Sequence, residues 1–282
     1  MDVTDTALWV AALRARETKR SRAAFQDRLA SRLAGKRGAA IARSMPNAAI
    51  TQWGVVIRTS AIDRLIAEAI RGGIDCVVNL GAGADTRPYR MELPPQVRWI
   101  EIDFPALMQL KDAALADQNP VCQLERIGLN LLDHDRRGKL LAAYRSPSTL
   151  MLAEGVLPYF SNDDVARLAD DLHAHSQSWI LDFDNAGARE TPRSWATRLR
   201  AAPMLFQPID WFRFFENCGW YARQVITSAE ESERLNRPYP FSIPWGVLMH
   251  ALPRSVRQRI LSVSGAVLLG PAAGMAAGTE TL

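Results

Sequence analysis

Short apolar runs alternate along the chain with stretches whose apolar residues recur every three or four positions. Runs at 76–80, 97–102, 122–129, 149–153, 179–183 and 221–226 have the length and β-branched or aromatic content of strands, and 241–252 predicts a last one. Between them, 59–71 has helical spacing through Ile62, Leu65, Ile66 and Ile70 and stops at Gly72-Gly73. Ser161 caps a helix through Asp164, Val165, Leu168 and Leu172, and Pro208 opens another through Trp211, Phe212 and Phe215 to Cys218-Gly219. Phe25, Leu29 and Leu33 recur at helical spacing near the start, whereas 47–57 is mixed. Alternation of this kind predicts an α/β fold with a mostly parallel, twisted sheet of about seven strands and helices on both faces. The expected organisation is one domain overall: a helical cap over 1–72, a core over 73–253 with a lid-like insertion at 185–207, and a tail over 254–282.

Charge and cysteine content narrow the function classes. The 34 basic and 30 acidic residues of this 282-residue chain leave +4, spread too evenly for a nucleic-acid groove or a polybasic membrane anchor. The local exception is the start, where Arg14, Arg16, Lys19, Arg20, Arg22, Arg28, Arg32, Lys36 and Arg37 outnumber the acids and read as a solvated helix face. Cys76, Cys122 and Cys218 have neither disulfide-framework nor zinc-ligand spacing, which points to a reducing cytoplasm and to no metal. From Ile260 to Thr279 no residue is charged, but five glycine or proline residues from Gly265 to Gly278 interrupt that stretch. A spanning helix and membrane association are therefore not expected.

In an open α/β sheet, ligands lie beyond the carboxyl ends of the strands, so the residues just after each run carry the chemistry. The first run opens into Gly81-Ala82-Gly83, a turn with bare backbone, and the second ends in Asp103, a carboxylate able to grip ribose hydroxyls. Thr86 stands where a dinucleotide fingerprint carries Gly or Ala, so NAD is disfavoured. S-adenosylmethionine, with a ribose and a sulfonium but no phosphate, fits better. Asn130-Leu131 with Asp133 and Glu154-Gly155 follow the next runs. Tyr159 lies near the expected cleft and is a weak catalytic candidate, though a packed aromatic is the commoner use. Trp195, Met204, Phe206, Trp211 and Phe214 could line an acceptor pocket or form core, and His173 and His175 fall away from the strand exits.

The segments from Leu80 to Arg87, Glu101 to Pro105 and Ala153 to Tyr159 resemble the leucine carboxyl methyltransferase family, including its bacterial branch of polyketide O-methyltransferases. Thr6-Ala7-Leu8, Arg14 to Glu17, Arg58-Thr59 with Asp63, and Gly219-Trp220 extend the resemblance over most of the chain. It implies a Rossmann-like class I methyltransferase fold and S-adenosylmethionine as cofactor. Arg58 would pair with the cofactor's carboxylate, Gly81 and Asp103 would form the turn and ribose contacts, and Glu154 would lie near the methionine portion. The family's usual Asp-Leu beside the adenine is Asn130-Leu131 here, which changes an acceptor into a group that also donates. The implied activity is methyl transfer to a hydroxyl or carboxyl of a small, polyketide-like acceptor. A protein C-terminal carboxylate as acceptor, a non-catalytic cofactor-binding subunit and an NAD-dependent oxidoreductase are the competing readings.

Overall fold

The computed structural model describes residues 1–176, 178–184, 202–240 and 251–272. Its centre is one seven-stranded sheet in the order β3-β2-β1-β4-β5-β7-β6. The strands are β1 (Cys76–Leu80), β2 (Arg98–Asp103), β3 (Gln123–Gly128), β4 (Thr149–Ala153), β5 (Ser178–Asp184), β6 (Trp220–Thr227) and β7 (Ser264–Pro271). β1 to β5 run parallel, and β7 enters antiparallel between β5 and β6. Every residue of β1 and β4 is buried, which explains their unbroken apolar runs: helices cover both faces and no polar alternation is tolerated. The chain reverses direction across the sheet between β1 and β4, so their carboxyl ends part and leave a crevice.

One sheet face packs Val78, Leu80, Ile102, Met151 and Trp179 against α6 (His134–Ala142), α7 (Asn162–His173) and α8 (Trp211–Asn217). The other packs Val77, Trp99, Leu150 and Ile180 against Ile62, Leu65 and Ile66 of α3 (Ala48–Arg71). Ser161 caps α7 as expected, and with Asp164 it closes a capping box. α8 starts three residues later than Pro208 suggests, because the Asp210 carboxylate accepts the Arg213 N–H and sets the cap there. α4 (Arg87–Arg90) and α5 (Pro105–Leu115) follow β1 and β2, and α9 (Ser228–Arg234) and α10 (Arg254–Leu261) complete the helices described.

Two expectations change at the chain ends. The N-terminal basic stretch is two helices, α1 (Val3–Thr18) and α2 (Ala30–Ser44), kinked at Gly35, with Phe25 and Leu29 outside both. Arg14 is not solvated: it is 7% exposed and donates to Asp27 at 2.8 Å and to the Ala84 carbonyl. α3 also begins eleven residues before the predicted 59. At the other end, the stretch expected as a tail supplies α10 and β7. Its lack of charge reflects burial, since Ala266, Val267 and Leu269 are at most 1% exposed in the sheet interior. Most of the strand expected at 241–252 and most of the lid-like insertion lie outside the described residues. Among the described residues no helix is long and apolar enough to cross a membrane.

Candidate cofactor site

The turn after β1 is built to be narrow. Gly81 and Gly83 hold φ of +67° and +49°, left-handed values that cost other residues strain. A Cβ at Gly81 would come 2.6 Å from Val156 Cγ2, so the residue after the β4 exit already crowds out a side chain there. The turn's N–H groups are all directed inward: Gly81 and Ala82 donate to the Ile102 carbonyl at 2.8 and 3.1 Å, and Gly83 donates to Asp103 Oδ2 at 2.7 Å. A pyrophosphate cradle needs these donors facing the ligand, together with a long helix starting beside it. Here the donors are engaged, and α4 is only four residues long.

Asp103 closes the other side. Its second oxygen accepts the Phe104 N–H at 2.7 Å, and the residue is 7% exposed. Burial raises its pKa, although the two backbone hydrogen bonds oppose the rise. Each oxygen retains a lone pair for a further donor.

A charge cluster lies across from Asp103. Arg58, on α3, donates from Nε to Glu154 Oε1 at 3.0 Å and from Nη1 to Asp182 Oδ2 at 3.2 Å. Glu154 Oε2 accepts from Arg87 Nη2 at 2.7 Å, and Asp182 Oδ1 accepts the Gly155 N–H at 2.8 Å. Arg87 also reaches Asp63 and Asp85, and Asn79 Nδ2 donates to Asp85 at 2.8 Å. Burial pushes Glu154 toward the neutral form, but Arg87 and Arg58 outweigh it and hold its pKa down to about 2. Asp182 is raised by burial that Arg58 only partly offsets. Arg14, Arg58, Arg87 and Arg90 thus face Asp27, Asp63, Asp85, Glu154 and Asp182, a group one negative charge in excess before Asp103 is added.

Between turn and cluster is a cavity of about 360 Å³. Arg58, Gly81, Ala82, Gly83, Asp103, Asn130, Leu131 and Glu154 all line it, as does Tyr159, whose phenol is raised in pKa by burial. Asn130 is exposed at the rim, and its Oδ1 accepts the Leu132 N–H at 3.0 Å, leaving the amide nitrogen as the outward group. Leu131 is held by Arg137, itself 1% exposed, which donates to the Leu131 carbonyl.

The aromatic set divides. Met204 reaches the cavity, whereas Phe206, Trp211 and Phe214 pack in the core: Trp211 is 4.3 Å from Phe215 and Phe206 is 5.1 Å from Phe214, centroid to centroid. Trp195 lies outside the described residues. His173 stacks edge-on against Trp220 at 5.6 Å, and neither it nor His175 borders the cavity. Sequence reading missed Asp85, Arg87 and Asp182 as members of the cluster, and the α1 wall formed by Val3, Ala7, Val10 and Arg14. Asp182 had a signal, since it stands near the exit of β5 as the other acids do at theirs. For the α1 wall the signal was the family resemblance at Ala7 and Arg14 alone, because the packing of a distant helix leaves no local pattern.

The profile of the leucine carboxyl methyltransferase family matches residues 7–173. A Frankia alni protein named "Putative S-adenosyl-L-methionine-dependent methyltransferase" is 32% identical over 250 residues, covering 83% of this chain and 87% of its own. A Streptomyces avermitilis protein with the same designation is 30% identical over 263 residues, covering 81% and 91%. A solved DUF574-family structure from Streptomyces avermitilis superposes with a TM-score of 0.55 at 13% identity, covering 83% of this chain and 89% of that one, a likeness of fold alone. The matched region holds the glycine turn, Asp103, Arg58 and Glu154, and with it the chain belongs to the leucine carboxyl methyltransferase family of S-adenosylmethionine-dependent methyltransferases.

Proposed function

We propose that the protein transfers the methyl group of S-adenosylmethionine to a hydroxyl or carboxyl oxygen of a small, largely apolar acceptor. One observation carries the cofactor assignment beyond the family: the cavity pairs an inward-bonded glycine turn, which offers no phosphate cradle, with a carboxylate on one side and an oppositely charged Arg58–Glu154 pair on the other. That donor set suits a ribose and an amino-acid zwitterion without phosphate. It also favours a net cation, since the surrounding charges are negative in excess.

In this reading Asp103 accepts from the ribose hydroxyls, Arg58 pairs with the cofactor's carboxylate, and Glu154 accepts from its ammonium. Leu131 supplies an apolar wall for the adenine, with the Asn130 amide donating at its edge. When bound, the cofactor supplies an electrophilic methyl on a sulfonium, open to in-line attack by an oxygen. The chain's contribution to the reaction is chiefly to hold the acceptor in line and exclude water, which can account for much of the rate without an elaborate catalytic group.

Apolar side chains support the acceptor class. Val3, Val10, Val55, Pro158, Phe160 and Met204 line the cavity, and its arginines are already bonded to carboxylates. Tyr159 is the candidate to hold or pass a proton beside a hydroxyl acceptor; a carboxylate acceptor arrives ionised and needs no such help. Incubation with S-adenosylmethionine and a panel of phenols and carboxylic acids, read by mass spectrometry, should yield S-adenosylhomocysteine together with a methylated acceptor. Binding of cofactor without S-adenosylhomocysteine from any acceptor in a native extract would instead mark a non-catalytic subunit.

A further inference from the structure

Arg87 belongs to the motif after β1, yet the reading above gives it no task. Its side chain is 3% exposed and each of its three nitrogens donates: Nε to Asp63 Oδ1 at 2.7 Å, Nη1 to Asp85 Oδ2 at 2.8 Å and Nη2 to Glu154 Oε2 at 2.7 Å. Two of these acceptors are themselves fixed. Arg90 donates twice to Asp63, at 2.7 and 2.9 Å, while Asn79 Nδ2 and the Arg87 N–H hold Asp85 at 2.8 and 2.9 Å. The guanidinium is therefore clamped between α3 and the glycine turn, and Glu154 is what it presents to the cavity side. Arg58, by contrast, is 26% exposed and touches the other Glu154 oxygen.

We propose that Arg87 is a positioning residue for the cofactor's amino-acid end: it keeps the Glu154 carboxylate ionised and fixed in direction when Arg58 turns from Glu154 to the cofactor's own carboxylate. The proposal rests on the cofactor reading above and deepens it. A buried carboxylate that loses its cation takes up a proton, and a carboxylic acid is a poor partner for an ammonium. Arg58 cannot serve both carboxylates equally, so a second, immobile cation is required. Arg87 meets that need because a planar fork reaches three acceptors at once, which a lysine ammonium on a flexible stem does not. The other charged or titratable groups around Glu154 are Arg14 from α1, Arg58 and Asp63 from α3, Asp85 from the turn, Asp182 from β5, and Tyr159 beside Arg58. Of the cations among these, Arg14 is bonded to Asp27 and the Ala84 carbonyl and is not placed to take over.

Calorimetric titration of the full chain with two ligands tests this: S-adenosylhomocysteine, which has the amino-acid end, and 5′-deoxy-5′-methylthioadenosine, which lacks it. Arg87→Gln should weaken S-adenosylhomocysteine roughly 10- to 100-fold while leaving methylthioadenosine within about threefold. In the variant, the preference for S-adenosylhomocysteine should fall as pH drops from roughly 8 to 5, whereas in the wild type it stays flat, since only the variant lets Glu154 protonate in that range. Arg87→Lys should recover part of the affinity. Equal weakening of both ligands, or an unchanged preference, overturns the proposal. Should Arg87→Gln not fold, Asp63→Asn loosens the clamp with Arg87 in place and must show the same selective loss in smaller measure; a loss shared by both ligands overturns the proposal there too. A wild-type chain that binds neither ligand overturns the cofactor reading itself, and the role of Arg87 with it.

Discussion

Gly81 answers two constraints, its own left-handed backbone and the Val156 side chain, and they can be separated by mutation. Gly81→Ala should cost about 1–3 kcal/mol of stability, from the αL strain together with the clash. Adding Val156→Ala should recover the clash and leave the strain, so the double variant lies between, as thermal denaturation would show. If Val156→Ala recovers nothing, the 2.6 Å approach is not what excludes a side chain. For Arg58 and Asp103 the prediction is functional. Arg58→Ala and Asp103→Ala should each weaken cofactor binding by about 1–3 kcal/mol, the range for a lost hydrogen bond to a charged group. Asp103→Ala should in addition lower the melting temperature, because the Gly83 and Phe104 N–H groups lose their acceptor. Unchanged calorimetric affinity in both variants would remove the two residues from the site.

Among the elements, β7 and α8 show where sequence pattern misleads. β7 is an inner strand whose uncharged run was legible, but a run this rich in glycine and proline reads equally as a tail. Only pairing with β5 and β6, whose partners lie some forty to ninety residues away, turns it into sheet. Val267→Asp, which places an unpaired charge at a fully buried inner position, should therefore cost more than about 4 kcal/mol and prevent folding at ordinary temperature; a soluble, cooperatively melting variant would contradict the assignment. α8 is the opposite case. Its aromatics suggested a ligand pocket, and the structure uses them to cover β5 and β6, with Phe215 fully buried against Trp179 at 5.4 Å. Phe215→Ala should cost about 3–5 kcal/mol without altering cofactor affinity, whereas Met204→Ala should shift acceptor KM with little effect on stability. Helical spacing cannot distinguish these uses, because core and pocket both call for apolar faces.

For the molecule as a whole, the strand exits were the legible part. The rule that ligands lie beyond the carboxyl ends of parallel strands brought Gly81, Asp103, Asn130 and Glu154 together on one cavity, though they are scattered over more than seventy residues. What that rule does not reach is the ion-pair cluster behind the cavity, which depends on how α1 and α3 sit on the sheet. The cluster should govern acid stability. Glu154 and Asp85 are held below their ordinary values, and a carboxyl with a lowered folded pKa stabilises the fold above its unfolded pKa and loses that contribution as pH falls. The melting temperature should thus hold steady from neutral pH to about 5 and drop steeply below 4.5, the ordinary glutamate value, with Glu154→Gln showing a shallower drop. An equally steep drop in Glu154→Gln would assign the acid sensitivity elsewhere.

A crystal structure of the chain with S-adenosylhomocysteine would place the nucleoside outright. Its ribose hydroxyls should lie within hydrogen-bond distance of the Asp103 carboxylate, and its amino-acid end between Arg58 and Glu154. A nucleoside found anywhere but this cavity, or found there with its ribose turned away from Asp103, would contradict the cofactor assignment.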